Sequence, residues 1–63
     1  MYFKLLLVDD DILVRVGLRS IIDWQARGFE IVGEASDAKE ALRKIGELNP
    51  DIVITDKIGR AHV

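Results

Sequence analysis

Apolar residues fall into three short runs along the chain, separated by two stretches in which they recur every three or four positions. The runs cover residues 2–8, 29–33 and 51–55. Residues 5–8 are apolar on both faces, which is typical of a central parallel strand covered by helices. The intervening stretches, residues 12–24 and about 38–48, have the spacing of amphipathic helices. The pattern predicts an α/β chain in the order β-α-β-α-β, with parallel strands.

Local signals mark the ends of both helices. Asp11 can cap the first helix, and Asp37 with Glu40 three residues later resembles a capping box for the second. Gly28 supplies a turn, and Pro50 ends the second helix because the residue before proline disfavours the α region. In the first helix we expect an inward stripe of Leu13, Val16, Gly17 and Ile21, which Trp24 can extend. In the second helix the expected inward residues are Ala38, Ala41, Leu42, Ile45 and Leu48.

Composition narrows the class of protein. A chain of 63 residues forms one domain at most, and its core is marginal in size. The absence of cysteine excludes disulfides and thiolate metal sites. A net charge of −2 gives no general attraction for nucleic acid or anionic lipid. The apolar run after Lys4 is too short for a targeting signal or a membrane span, so we expect a cytoplasmic location.

Acidic residues follow two of the predicted strands. Asp9, Asp10 and Asp11 end the first run, and Asp56 ends the third. If these strands are neighbours, their ends lie about 4.8 Å apart, and each pair of carboxylates repels by roughly 4 kcal/mol. A cation relieves this repulsion, and hard oxygen ligands favour Mg²⁺, Mn²⁺ or Ca²⁺ over zinc. One aspartate could then attack a phosphoryl group.

Simpler interpretations of the same residues stay open. The three consecutive acids can serve only as a helix cap that favours the helix dipole, and Asp56 can be a solvated strand end. The occurrence of both acidic sites on neighbouring strands favours the metal site. Arg15 and Arg19 fit a solvated helix face better than a phosphate clamp, and Trp24 fits packing over the next strand better than a partner contact.

These residues give the chain a clear family resemblance. Leu-Leu-Val-Asp-Asp-Asp at residues 6–11 and Pro-Asp-Ile-Val-Ile-Thr-Asp at residues 50–56 resemble the receiver domain of bacterial two-component response regulators. Residues 17–19, 23–24, 28–30 and 32–35 resemble the regulators that carry an AraC-type DNA-binding domain. The resemblance implies that residues 1–56 are the first half of a flavodoxin-like doubly wound sheet, with strand order 2-1-3 of 2-1-3-4-5.

The resemblance also implies roles for individual residues. Asp56 would be the phosphoacceptor, and the metal ligands for Mg²⁺ would be Asp9, Asp10 and Asp56, with Asp9 acting mainly through water. The backbone carbonyl of Ile58 would be a further ligand. A sensor histidine kinase would donate the phosphoryl group, so that the module is a phosphorelay component and not a turnover enzyme. Further implied partners are DNA, through a separate C-terminal domain, and a second copy of the full-length parent.

Two rival functions are open. A haloacid-dehalogenase-type phosphotransferase would use Asp9 as nucleophile with Asp11 as the acid two residues later, although Ile12 and Leu13 stand where that family has a Gly-Thr type continuation. A stand-alone adaptor that is never phosphorylated is the other rival. It predicts a cooperatively folding monomer.

Residues 57–63 depart from the resemblance. The codons ATC GGA AGA GCA CAC GTC of a sequencing-library adapter encode residues 58–63 in order, and the next adapter triplet is a stop. We therefore expect a non-native tail on a truncated receiver domain, and assign no role to His62 or Lys57. The truncated chain should expose residues 51–55 as an apolar edge prone to aggregation. It should also bind Mg²⁺ weakly and be largely inactive as a phosphoacceptor.

Overall fold

The computed structural model describes residues 1–55, which form a three-stranded sheet with two α-helices. The elements in chain order are β1 (Phe3–Val8), α1 (Ile12–Ile21), a short 3₁₀ helix (Gln25–Arg27), β2 (Phe29–Ala35), α2 (Ala38–Leu48) and β3 (Ile52–Thr55). The strands are parallel and ordered β2-β1-β3. The predicted fold class and strand order are therefore confirmed, and the strand and helix bounds differ from prediction by at most three residues.

The central strand β1 provides the core. Leu5, Leu6 and Leu7 are at most 1% exposed, because both neighbouring strands and side chains from both faces cover them. Leu6 and Val8 form a buried cluster with Ala35 and with Ala41 of α2. This core surrounds the end of β1, the strand that the acids follow in the chain.

The helix ends follow the local signals in the sequence. The Asp11 carboxylate accepts a hydrogen bond from the Leu13 amide at 2.9 Å, and the Asp37 carboxylate accepts one from the Glu40 amide at 2.8 Å. The reciprocal bond of the capping box differs from prediction, since Glu40 accepts from the amide and hydroxyl of Ser36. These two hydrogen bonds lower the pKa of Glu40 below its usual range and outweigh the effect of desolvation.

Backbone conformation at two positions accounts for the turns. Gly28 has φ +88° and Asn49, which precedes Pro50, has φ +49°. Both lie in the left-handed region, where glycine and asparagine are best tolerated. Gly28 follows the 3₁₀ helix and Asn49 ends α2, as the sequence predicted.

The predicted inward stripe of α1 is wrong at three positions, whereas Gly17 and Trp24 are half-buried. Leu13 is 76% exposed, Val16 53% and Ile21 81%, and no α1 residue is fully buried among residues 1–55. Leu18, which is half-buried, and Val14, which is 40% exposed, instead line an open cavity between α1 and the sheet. Apolar residues occur on more than one side of this helix, so helical periodicity alone could not select the inward side. Trp24 is half-buried and packs edge-on against Phe29 of β2, with ring centroids 6.3 Å apart, which confirms its predicted role.

The predicted inward face of α2 is partly wrong. Ala41 is buried and Leu48 is half-buried as expected, whereas Leu42 is 70% exposed. Ala38 and Ile45 are also exposed. A Cβ at Gly33 of β2 would lie 2.7 Å from the Leu48 Cδ1 atom. The missing side chain at Gly33 therefore leaves room for the Leu48 side chain of α2.

The start of β3 is fixed to β1 by a reciprocal pair of hydrogen bonds. The Lys4 amide donates to the Asp51 carboxylate at 2.7 Å, and the Asp51 amide donates to the Lys4 carbonyl at 2.8 Å. The β1–β3 register then runs from Leu5 opposite Ile52 to Val8 opposite Thr55. Within the described part of the chain, β3 is an edge strand whose Ile52 and Val53 are more than one-third exposed. Neither α-helix in that part is long and apolar enough to cross a membrane.

Candidate functional site

Asp9 lies where the central strand ends, and it is buried. The residue is 3% exposed, and its backbone amide donates to the Ala35 carbonyl at 3.0 Å, which continues the pairing of β1 with β2. Carboxylate oxygen Oδ1 accepts a hydrogen bond from the Asp11 amide at 2.9 Å. The second oxygen, Oδ2, is buried and has no hydrogen-bond partner within residues 1–55. An unsatisfied buried carboxylate oxygen is costly unless a ligand compensates it.

The other two consecutive acids have different surroundings. Asp11 turns its carboxylate onto the first turn of α1, so its role as a helix cap is confirmed. Asp10 is exposed to solvent. The structure thus separates three adjacent carboxylates into a buried acid, an exposed acid and a cap. Of the three, Asp9 is the one with a buried carboxylate oxygen that has no hydrogen-bond partner within residues 1–55.

The third predicted ligand, Asp56, lies outside the described residues, as do Lys57, Ile58 and His62. The structure nevertheless fixes the strand that precedes Asp56, since Thr55 is paired with Val8. Residues 1–55 by themselves contain no cluster of three acidic or histidine side chains suited to a metal. The joint metal site of Asp9, Asp10 and Asp56 therefore stays a prediction.

Asp9 contributes to the wall of an open cavity between α1 and the sheet. The cavity has a volume of about 350 Å³, and its other walls include Val14, Leu18 and Ile54. Apolar side chains thus approach the acidic end of the sheet from the α1 side. They lower the local polarity around a carboxylate that has an unpaired oxygen.

An ion-pair network links α1 to the end of β2 beside this site. Arg15 Nε donates to Glu34 Oε1 at 3.0 Å, and Arg19 Nη1 pairs with Glu34 Oε2. Arg15 Nη1 also donates to the backbone carbonyl of Asp9. The side chain of Arg15 is only 13% exposed, so the sequence-based view of Arg15 as part of a solvated face is wrong. Arg19 is 54% exposed and fits that view better.

Glu34 is the centre of this network, and sequence reasoning did not single it out. Burial raises the pKa of Glu34, but hydrogen bonds and charges from Arg19 and Arg15 together hold it below its usual range. Its backbone carbonyl also accepts a hydrogen bond from Lys44 Nζ of α2. The available signal was an acid inside an apolar strand, combined with two arginines four residues apart on the preceding helix.

The chemistry of Asp9 suits a hard divalent cation. Its Oδ2, which has no hydrogen-bond partner within residues 1–55, is a carboxylate ligand of the kind that Mg²⁺ prefers. The adjacent Asp10 carboxylate can help to neutralise the charge of the cation. No histidine or cysteine occurs in residues 1–55, so softer metals have no matching ligands there. The residues present therefore fit Mg²⁺.

Comparison with known proteins identifies the family of the chain. The response regulator receiver domain family matches residues 5–58. The transcriptional regulatory protein YesN of Bacillus subtilis is 41% identical over 54 residues, and the response regulator protein VraR of Staphylococcus aureus is 43% identical over 56 residues. These matches cover 86% and 89% of this chain, which spans only 15% and 26% of the length of the two relatives.

A solved structure has the same fold. The REC domain of AraT, a response regulator from Geobacillus stearothermophilus, is 38% identical with a TM-score of 0.79, over 84% of this chain and 41% of that one. Neither these proteins nor the family match supports the haloacid dehalogenase alternative. Three observations lead to one conclusion: the parallel 2-1-3 sheet, the buried acid after its central strand, and the family match over residues 5–58. The chain belongs to the response regulator receiver domain family.

Proposed function

We propose that Asp56 is the phosphoacceptor of a two-component phosphorelay and that Asp9, Asp10 and Asp56 together hold Mg²⁺. The observation that carries the proposal is the buried Asp9 carboxylate with an unpaired oxygen. It lies at the end of a strand whose last residue is paired with Thr55, and Asp56 follows Thr55 in the chain. Asp10 is exposed at the same edge and can be a second ligand.

The chemistry is a phosphoryl transfer between two proteins. A carboxylate oxygen of Asp56 attacks phosphorus, the P–N bond of a kinase phosphohistidine breaks, and the leaving imidazole takes up a proton from solvent. Bound Mg²⁺ would neutralise charge on the phosphoryl oxygens. Asp9 and Asp10 would provide the negative charge that holds the cation at the edge of the sheet, and the buried core around β1 supports the position of Asp9.

Partners beyond the kinase belong to a longer protein. We infer a C-terminal output domain of AraC type that binds DNA, and a homodimer of the full-length regulator, in a cytoplasmic protein. The transcriptional role of YesN supports a transcription-regulating output. The 63-residue chain itself should accept phosphate poorly, and residues 57–63 are proposed to be an adapter-derived tail. Sequencing the source locus through codon 57 tests both points, since the native frame should then continue with further receiver-domain sequence.

Labelling of the full-length regulator tests the assignment of Asp56. Radiolabelled acetyl phosphate with Mg²⁺ should label the wild type, and Asp56→Asn should abolish the label. Asp51→Asn is the matched control, because Asp51 directly precedes β3 in the chain whereas Asp56 follows it. The control should retain most of the label. Retained labelling of Asp56→Asn combined with its loss in Asp9→Asn would instead support Asp9 as the nucleophile.

A further inference from the structure

Arg15 connects the acidic site to a second strand and to a helix. Its guanidinium donates from Nε to Glu34 on β2 at 3.0 Å and from Nη1 to the backbone carbonyl of Asp9. With 13% of its side chain exposed, the group lies between α1 and the ends of β1 and β2. Nothing in the proposed phosphoryl transfer assigns a role to this arginine.

We propose that Arg15 is a positioning residue for the acidic site: it fixes the backbone at Asp9 and so sets the direction in which the Asp9 and Asp10 carboxylates face the cation. The inference rests on the proposed function, because it concerns the same site. Arg15 would act through Asp9 and would touch neither the metal nor the phosphoryl group.

Hydrogen bonds to Asp9 show why the arginine matters. The Asp9 amide is held by the Ala35 carbonyl, and its Oδ1 is held by the Asp11 amide. The Arg15 contact adds the Asp9 carbonyl, so the peptide that joins Asp9 to Asp10 is fixed from the α1 side. Only Oδ2 of the Asp9 side chain then lacks a partner within residues 1–55. The network thereby orients one oxygen for a ligand.

The shape of guanidinium suits this double contact. Its planar donors can reach two acceptors in fixed directions, whereas a lysine ammonium is a single point on a flexible stem. Glu34 holds the plane of Arg15, and its own backbone carbonyl is held by Lys44. Removing outer partners that orient metal ligands commonly weakens metal affinity by 10-fold or more, so we expect roughly a tenfold loss here.

Arg19 offers a matched control within the same network. It pairs with the other oxygen of Glu34, on the same helix and one turn away, and its side chain is 54% exposed. Unlike Arg15, it makes no hydrogen bond to Asp9 among the described residues. Truncation of Arg19 removes a charge and an ion pair without removing the contact to the site.

The test measures Mn²⁺ affinity of the full-length regulator by the loss of the free-ion electron paramagnetic resonance signal. Arg15→Met should weaken Mn²⁺ binding by roughly tenfold, Arg15→Lys by an intermediate amount, and Arg19→Met by less than about twofold. Labelling by acetyl phosphate supplies the second readout. The Mn²⁺ concentration for half-maximal labelling should rise in the Arg15 variants, while the rate at saturating Mn²⁺ should stay near that of the wild type.

Equal effects of Arg15→Met and Arg19→Met on Mn²⁺ affinity would overturn the inference, because a general loss of helix attachment would explain both. A lower labelling rate at saturating Mn²⁺ with an unchanged half-maximal concentration would overturn it as well. If Arg15→Met fails to fold by circular dichroism, Arg15→Lys decides, and wild-type affinity in that variant refutes the inference. A wild-type regulator that binds no Mn²⁺ and takes no label refutes the proposed function itself, before any variant is compared.

Discussion

Helices α1 and α2 pack on the same sheet through different kinds of contact. In α2, Ala41 is buried against Leu6 and Val8, and Leu48 packs near Gly33. In α1 no residue is fully buried, and the side chains of Arg15 and Arg19 form ion pairs with Glu34 of the sheet. The difference shows that a helix beside the acidic site can be positioned by charge where apolar packing is sparse.

The two attachments have different consequences for the site. Apolar burial is insensitive to direction, whereas a guanidinium–carboxylate pair fixes the orientation of both groups. The α2 side therefore supplies stability beneath β1, and the α1 side supplies directional contacts at Asp9. Substitutions that affect one side and not the other can separate the two contributions.

The largest effect is expected from the apolar side. Leu6→Ala should lower the free energy of unfolding of the full-length regulator by about 3 kcal/mol, because it leaves a cavity at a fully buried position. Urea unfolding measures the loss. Lys39→Ala on the exposed side of α2 is the control and should change stability by less than about 0.5 kcal/mol. Similar values for both variants would contradict the placement of the core.

A smaller effect is expected from the charged side. Glu34→Ala should cost about 2 kcal/mol, because it leaves the largely buried Arg15 without its carboxylate partner. The matched control is Glu47→Ala, which removes an ion pair with Arg43 whose side chains are both more than half exposed. That control should cost less than about 0.5 kcal/mol. Equal costs in urea unfolding would show that the Glu34 network contributes no more than a surface pair.

Hydrogen exchange sharpens the comparison between the helices. In the 63-residue chain, backbone amides of α1 should exchange about tenfold faster than those of α2, since sparsely packed elements open at lower free energy. Amide exchange followed by nuclear magnetic resonance measures both helices in one sample. Slower exchange in α1 than in α2 would show that the ion pairs hold α1 more firmly than apolar packing holds α2.

The smallest effect concerns pH. Because the pKa of Glu34 in the folded protein lies below its unfolded value, its stabilising contribution is complete above the ordinary value of 4.5 and is lost as the pH falls through the folded pKa. Glu34→Gln should therefore weaken the dependence of the melting temperature on pH below about pH 4.5. The corresponding change in the free energy of unfolding should be less than about 1 kcal/mol. Thermal melts of the full-length regulator across this range give the measurement. An unchanged pH dependence would contradict a native ion pair at Glu34.

The parts of the fold that sequence could predict depend on short-range signals. Asp11 and Asp37 cap the helices that follow them, and the all-apolar run of β1 marks a central strand. The inward side of α1 could not be predicted in the same way. Leu13 and Val16 are as apolar as Val14 and Leu18, and only the completed packing distinguishes the two pairs.

The candidate site was predictable to a different extent. Asp9 directly follows an apolar run in the sequence, which predicts that it lies at the end of a buried strand. The structure shows that it lies there and is itself buried. The contact of Arg15 with Glu34 joins residues 19 positions apart and depends on how α1 lies across the sheet, which no local pattern encodes. The role of Asp56 is supported by the sequence pattern and by the strand register before it, and its test is the labelling experiment.

The reciprocal hydrogen bonds between Lys4 and Asp51 have a consequence for alignment at the far end of β3. With only four residues, β3 is short enough to slip along β1, and a slip of one position would exchange its two faces. These two hydrogen bonds oppose such a slip, and they lie at the end of β3 that is remote from the acids. Under the proposed function, cation binding and phosphorylation would change the charge at the acidic end, whereas the contacts that keep the two strands in register lie at the opposite end of β3.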